Sequence, residues 1–248
     1  MRGLEWMWGE GFLSPGGAEE VAEIVNGVDL SGAHVLDIGC GIAGVDIALV
    51  QNHGVAQVTG IDIEQPLVDR GRELVAAKGL QDTIKLHCVE PGPLPFADDS
   101  FDAVFSKDSL IHIPDKAFIY AEIHRVLKPG GWVALSDWLG APEPPSPAMQ
   151  EWLRLVGLTF TLDTLEHIAE IVTDTGFELV QAEDRNQWYA SEMLKELDSI
   201  SGENFPKLVN AIGESAANQR VKSSSAKFEI VKGGELRPGH IRARKPVA

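Results

Sequence analysis

The chain has 248 residues, 44 % hydrophobic and 23 % charged, with a formal net charge of −16. This is an ordinary globular composition, long enough for one large domain or a domain with a cap. The acidic balance repels phosphate backbones and argues against DNA or RNA as a partner; no apolar run is long enough to span a bilayer, and Cys40 and Cys88 make neither a disulfide framework nor a metal set. No long apolar segment follows Met1, so no signal peptide is expected, and a reducing cytoplasm is the expected compartment.

Residues 4–17 carry two tryptophans, Phe12 and four glycines ahead of a first helix expected over Ala18 to Val25. This segment is either an aromatic flap over a site or a hydrophobic brace. The next stretch organises the chain. An apolar run from His34 ends in Asp37 and gives way to Gly39, Gly41 and Gly44, followed by the helical repeat Val45 to Val50. This spacing predicts strand, tight turn and helix, with the free N–H groups of the helix aimed at the turn. The Gly-x-Gly-x-x-Gly pattern also suits a dinucleotide. Asp37 tips the choice, because a carboxylate there repels a pyrophosphate and attracts an ammonium or sulfonium group. S-adenosylmethionine therefore fits better than a nicotinamide cofactor; a bare structural turn is the other alternative.

Gln57 to Asp62 is expected to be a second strand. Asp62, about 20 positions past the glycines, is placed to take both hydroxyls of a ribose, or to cap the next helix, Glu64 to Lys78. Ile84 to Val89 is a third strand ending at Glu90, whose carboxylate can accept from an adenine amino group. Pro91 opens a loop. Phe101 to Ser106 is a fourth strand, Asp115 to Leu127 a helix, Lys128-Pro-Gly-Gly131 a turn and Trp132 to Trp138 a fifth strand. Alternation of strands and helices predicts an α/β, doubly wound parallel sheet with helices on both faces. Ligands of such sheets bind beyond the carboxyl ends of the strands, and Asp37, Asp62, Glu90, Asp108 and Trp138 all fall there.

Gly140 to Pro147 reads as a stiff connector. Helices are expected from Ala148 to Gly157 and from Asp163 to Thr175, a strand over Gly176 to Val180, and mainly amphipathic helix over Tyr189 to Gln219, continuing over Ser225 to Lys232. His240 to Arg244 is the last strand. The long helical stretch exceeds a plain connection and is expected to cover the site.

The order of Leu36-Asp-Ile-Gly-Cys-Gly41, Gly60-Ile-Asp-Ile63 and Leu127-Lys-Pro-Gly-Gly131 resembles the class I S-adenosylmethionine-dependent methyltransferases along essentially the whole chain. A narrower resemblance is to the phosphoethanolamine N-methyltransferases. It rests on Gly9-Glu10-Gly-Phe-Leu-Ser14-Pro-Gly-Gly17, on Ser106-Lys-Asp108-Ser-Leu-Ile-His112 and on the segment around Lys227 and Arg237. The resemblance implies one Rossmann-like methyltransferase domain over residues 1–248, with a mostly parallel seven-stranded sheet whose last strand is antiparallel. It also implies a flap over residues 1–17 and a helical lid from segments at about 146–175 and 189–232.

Carried over residue by residue, it implies that Leu13, Ser14, Asp37, Gly39, Gly41, Asp62, Ile63, Glu90, Pro91 and Ser106 hold S-adenosylmethionine. Asp108 and His112 lie at the methyl-accepting site, Lys227 meets the substrate phosphate, and Trp138 and Trp152 stand where the family has tyrosines. Two departures are visible. The family's tyrosine that pairs with the histidine lies upstream of the matched part, and an arginine after Trp152 is replaced by an apolar residue near Val156. The acceptor stays open between a phosphobase and a small amine such as glycine, sarcosine or dimethylglycine.

Methyl transfer from a sulfonium is a direct displacement, so alignment and exclusion of water supply most of the acceleration. An amine must lose its proton before it attacks, and His112 is the candidate base. Asp108 would orient a cation or hold the imidazole. The plainer readings are a helix-capping His112, a turn carboxylate at Asp108, packing tryptophans and a solvated Lys227. Three functions follow: a small-molecule N-methyltransferase, an O- or C-methyltransferase of a quinone or natural product, and a non-catalytic cofactor-binding protein.

Overall fold

The computed structural model describes residues 5, 8–156 and 160–247. Leu4, Trp6 and Met7 of the N-terminal segment, and Gly157, expected to close a helix, lie outside the described residues, as does the side chain of Val156.

After the N-terminal segment comes α1 (Gly17–Ile24). β1 (His34–Ile38), α2 (Gly44–His53), β2 (Gln57–Asp62), α3 (Gln65–Ala77), β3 (Ile84–Cys88) and β4 (Phe101–Lys107) follow. A 3-10 turn (Leu110–His112) leads to α4 (Lys116–Val126), β5 (Leu127–Gly140), α5 (Pro147–Val156), α6 (Leu165–Asp174) and β6 (Glu178–Asp184). The chain then runs through α7 (Asn186–Ser201), α8 (Phe205–Ile212) and α9 (Glu214–Lys232) into β7 (Leu236–Arg244).

The seven strands lie in the order β3-β2-β1-β4-β5-β7-β6. β7 runs antiparallel to both of its neighbours, and the other pairings are parallel. The order reverses between β1 and β4, and such a switch point opens a crevice beyond the strand ends. Strand alternation distributes the core. Val35, Val58 and Phe105 face α1, α2 and α3, whereas Leu36, Val104 and Val133 face α4 and α6.

Three expectations change. α6 contributes Ile168 and Val172 to the core of one sheet face. The expected cap over about 146–175 therefore reduces to α5, because α6 has a sheet to bury its apolar stripe against. The stretch from residue 186 to 232 is three helices. Gly202 breaks it first, and Gly213, at φ +85°, is both the end of α8 and the cap of α9. The apolar faces of α7 and α9 meet α5 through Met149, Trp152, Tyr189, Met193, Ile230 and Val231, and α8 packs Leu208 against Ile200 and Ala217 of the same two helices. The expected turn at Lys128-Pro-Gly-Gly131 lies inside β5: Gly130 donates to the Lys245 carbonyl, Lys245 donates back to Gly131, and the strand register shifts between Phe101 and Ala103. The N-terminal segment divides its work, with Phe12 buried in the sheet's core while Trp8, Leu13 and Ser14 line a cavity. Among the described residues no helix is long and apolar enough to cross a membrane.

Candidate active site

The tip of β1 runs into the glycine turn. Gly39 sits at φ +82° and Gly41 at φ +54°, where a side chain is strained. A Cβ on Gly39 would collide with the Ser109 side chain, and one on Gly44 with the backbone of Gly11. The turn is thus pressed between the chain leaving β4 and the N-terminal segment. Asp62 fixes its shape: one carboxylate oxygen accepts the Gly41 N–H at 2.9 Å and the other the Glu64 N–H at 2.9 Å. Each oxygen keeps a further lone pair for a hydroxyl. Beside it Ile63 is 56 % exposed, and Glu90 and Pro91 are exposed at the end of β3. An apolar side chain left in water next to a carboxylate fits the ribose and base of a nucleoside.

Asp37 lies beneath this turn and is 1 % exposed. It faces a second acid that the sequence did not single out, Asp46 in the first turn of α2, which is also fully buried. None of their four carboxylate oxygens has a hydrogen-bond partner among the described residues. Burial, then the charges of Asp46 and Asp62, hold Asp37 well above the ordinary carboxylate range; burial lifts Asp46 to about 7. Orphaned buried carboxyls under a turn fit a cationic ligand such as an amino-acid ammonium and oppose a pyrophosphate.

This pair makes a stability prediction. Asp46 binds a proton in the folded chain at pH values where the unfolded chain has released it. Stability therefore falls as pH rises from the ordinary carboxylate range through about 7, and the full penalty stands above that. Asp46→Asn removes the titration and lets an amide donate to Asp37. Melting curves should show the variant about 5 °C more stable than the parent at pH 8, with the gap closing toward pH 4. A gap that ignores pH would remove the proton from the account.

Beyond β4 and β5 the remaining site residues, Ser106 excepted, share one cavity of about 260 Å³, lined by Leu13, Ser14, Asp108, His112, Trp138, Trp152 and Lys227 among others. Asp108 is held at φ +56°, a left-handed position that Asp tolerates better than most residues. Its N–H donates to the Ser136 carbonyl at 2.8 Å, and its carboxylate accepts from Ser136 Oγ at 3.1 Å and from Lys107 Nζ at 2.9 Å. Lys107, buried, also donates to Ser14 Oγ at 2.5 Å and the Pro15 carbonyl at 2.8 Å. One ammonium thus ties the N-terminal segment to the carboxylate of the site.

His112 closes the 3-10 turn at the exposed rim, its ring 5.4 Å from Phe160, which stacks on Trp152 at 6.0 Å. Across the cavity, Lys227 Nζ lies 4.0 Å from the centre of the Trp138 ring, 5.2 Å from Tyr189 and 5.8 Å from Trp152. It donates to the Tyr189 hydroxyl at 3.0 Å. Desolvation lowers this ammonium to about 8.

The expected cofactor set is therefore not one surface. Asp37 is buried under the turn, and Ile63, Glu90 and Pro91 lie on the outer strand tips. Ser106 is a correction: it is fully buried and its hydroxyl donates to the Ile38 carbonyl at 2.7 Å, so its side chain cross-links β4 to β1. Several lining residues were not foreseen. Tyr189, Met193 and Glu196 recur at i, i+4 and i+7 on α7; Arg220, Ser223 and Ser224 precede the expected Lys227 by seven, four and three positions on α9. The available signal was the helical spacing, which puts each set on one face of its helix.

Residues 36–135 match a family model described as a methyltransferase domain. Phosphoethanolamine N-methyltransferase 3 of Arabidopsis thaliana is 34 % identical over 200 residues, 80 % of this chain and 40 % of that protein. Phosphoethanolamine N-methyltransferase 1 of the same plant is 31 % identical over 242 residues, 97 % of this chain and 48 % of that protein. The chain thus spans less than half the length of these two curated relatives. Among solved structures, phosphoethanolamine N-methyltransferase 2 of Haemonchus contortus, in complex with phosphomonomethylethanolamine and S-adenosylhomocysteine, superposes with a TM-score of 0.89. It is 27 % identical, over 98 % of this chain and 57 % of that one. A sheet in this strand order, with a methyltransferase domain at residues 36–135, makes the chain a class I S-adenosylmethionine-dependent methyltransferase, similar along almost its whole length to the phosphoethanolamine N-methyltransferases.

Proposed function

We propose that this methyltransferase acts on the amine nitrogen of a small molecule that also carries an anionic group, phosphoethanolamine or an amine of its kind, glycine and sarcosine included. One observation carries the reading. Lys227 brings an ammonium into the cavity of Asp108 and His112, and among the described residues no carboxylate lies within 4 Å of it. With one N–H given to Tyr189, two donors are left for an anion. Trp138 and Trp152 offer ring faces in place of hydroxyls, so they support a cation and leave the anion to Lys227.

S-adenosylmethionine, when bound, supplies the methyl group. The glycine turn, Asp62 and the outer strand tips would hold its nucleoside, and Asp37, beneath the turn, would favour its cationic end. Asp108, fixed by Lys107 and Ser136, holds the acceptor's amino group, and His112 takes the proton that the amine must lose. The aromatic walls keep water from the nitrogen.

The test is turnover of methyl-labelled cofactor against phosphoethanolamine, ethanolamine, glycine, sarcosine, phenols and quinols. Label on the anionic amines is the expected result; label confined to hydroxyls would overturn the reading. In the same assay Lys227→Met should raise KM for the anionic amine about 10-fold, the usual weight of a charge-assisted hydrogen bond, and leave cofactor affinity unchanged. An equal loss toward ethanolamine would assign Lys227 to packing.

A further inference from the structure

Lys116 opens α4, outside the cavity. It is 5 % exposed, and among the described residues no carboxylate forms an ion pair with it. A buried ammonium is costly unless its three hydrogens are taken. Here backbone carbonyls take all three: Leu110 at 2.7 Å, Ile113 at 2.7 Å and Thr161 at 3.3 Å.

Those carbonyls belong to two separate pieces of the site. Leu110 and Ile113 bracket the 3-10 turn that ends in His112, a turn too short to hold itself. Thr161 follows Phe160, the ring that faces His112 and stacks on Trp152. The same two pieces are joined again by the Thr161 N–H, which donates to the Ile111 carbonyl at 2.9 Å. From the third side, the Asp137 carboxyl in β5 accepts the N–H groups of Ile111 and Trp138. Three peptide groups of the turn are thereby fastened from outside it, the Leu110 and Ile111 carbonyls and the Ile111 N–H, and Lys116 is the side chain that donates to the first of them.

We infer that Lys116 is a positioning residue, which locks the turn bearing His112 against the segment bearing Phe160 and so fixes the imidazole at the methyl-accepting cavity. The inference rests on the reading of His112 as the base, but its test does not require the acceptor to be known.

Side-chain NMR of the seven histidines would be recorded on the full chain saturated with S-adenosylhomocysteine. The His112 resonance would be assigned by its loss in His112→Ala. In Lys116→Met, and in Lys116→Gln as a second variant, that resonance should shift or broaden while His34 and His240, inside the sheet, stay in place. Calorimetric affinity for S-adenosylhomocysteine should remain within about 3-fold of the parent. With phosphoethanolamine as acceptor, kcat should fall about 10-fold with KM little changed, and the His112→Ala/Lys116→Met double variant should be no slower than His112→Ala alone. A His112 resonance unmoved in both variants overturns the inference. So does loss of cofactor binding in both, which makes Lys116 a folding element, or an additive double variant, which frees it from His112. If the parent fails to turn over phosphoethanolamine, the substrate reading falls and the histidine spectra still decide the role of Lys116.

Discussion

His112→Ala should lower kcat for an amine acceptor about 100- to 1000-fold, the usual weight of a positioned general base. Affinity for S-adenosylhomocysteine, measured by calorimetry, should change by no more than a few-fold. The split follows from location. His112 sits at the exposed rim of the cavity, at the end of a 3-10 turn beyond β4, whereas the groups proposed to hold the nucleoside are on the tips of β1, β2 and β3. The imidazole is exposed and approaches Phe160, tilted, at 5.4 Å, so its removal opens space at the mouth of the cavity. A fall in affinity equal to the fall in turnover would make His112 a structural support of the whole site.

Asp62→Ala should weaken cofactor binding by at least about 100-fold, with the catalytic step less affected, because two charge-assisted hydrogen bonds go together. The carboxylate does two things at once. It accepts the Gly41 and Glu64 N–H groups at 2.9 Å each, which sets the glycine turn and the start of α3, and in the proposed function its remaining lone pairs take the ribose. Asp62→Asn separates these roles. The amide oxygen can still accept one backbone N–H, so the variant should fold like the parent and still bind at least about 10-fold more weakly. Calorimetric titration with S-adenosylhomocysteine reads both. An unchanged dissociation constant in Asp62→Ala would mean that the backbone alone carries the nucleoside.

How far the sequence reached can be followed through single residues. Asp37, Gly39, Gly41 and Asp62 were legible because each has a local cause: a strand end, a bend that only glycine makes without strain, a second strand end at a fixed interval. Asp46 was not. On the helix after the turn it looks like a surface acid, and only the approach of α2 to β2, with the Asp46 side chain close to Gly60, buries it beside Asp37. Ser106 erred the other way: the right strand, but a hydroxyl turned inward to Ile38. α6 was taken for lid because its apolar stripe is like that of α5, and periodicity does not say which surface a stripe will cover.

By itself the sequence determined the alternation of strands and helices, the glycine bend with its two acids, and the strand tips where a ligand must lie, since these depend on neighbours within a few positions in the chain. Tertiary structure decided what no local pattern contains. It decided which of two acids is buried without a partner, that one lysine would join the N-terminal segment to Asp108 while another would meet three aromatic rings, and that Lys116 would hold the turn of His112. Each of these needs at least one contact or packing event that no local pattern sets, Lys107 with Ser14, Lys227 with Tyr189, Lys116 with Thr161, and its strength depends on the water that packing removes.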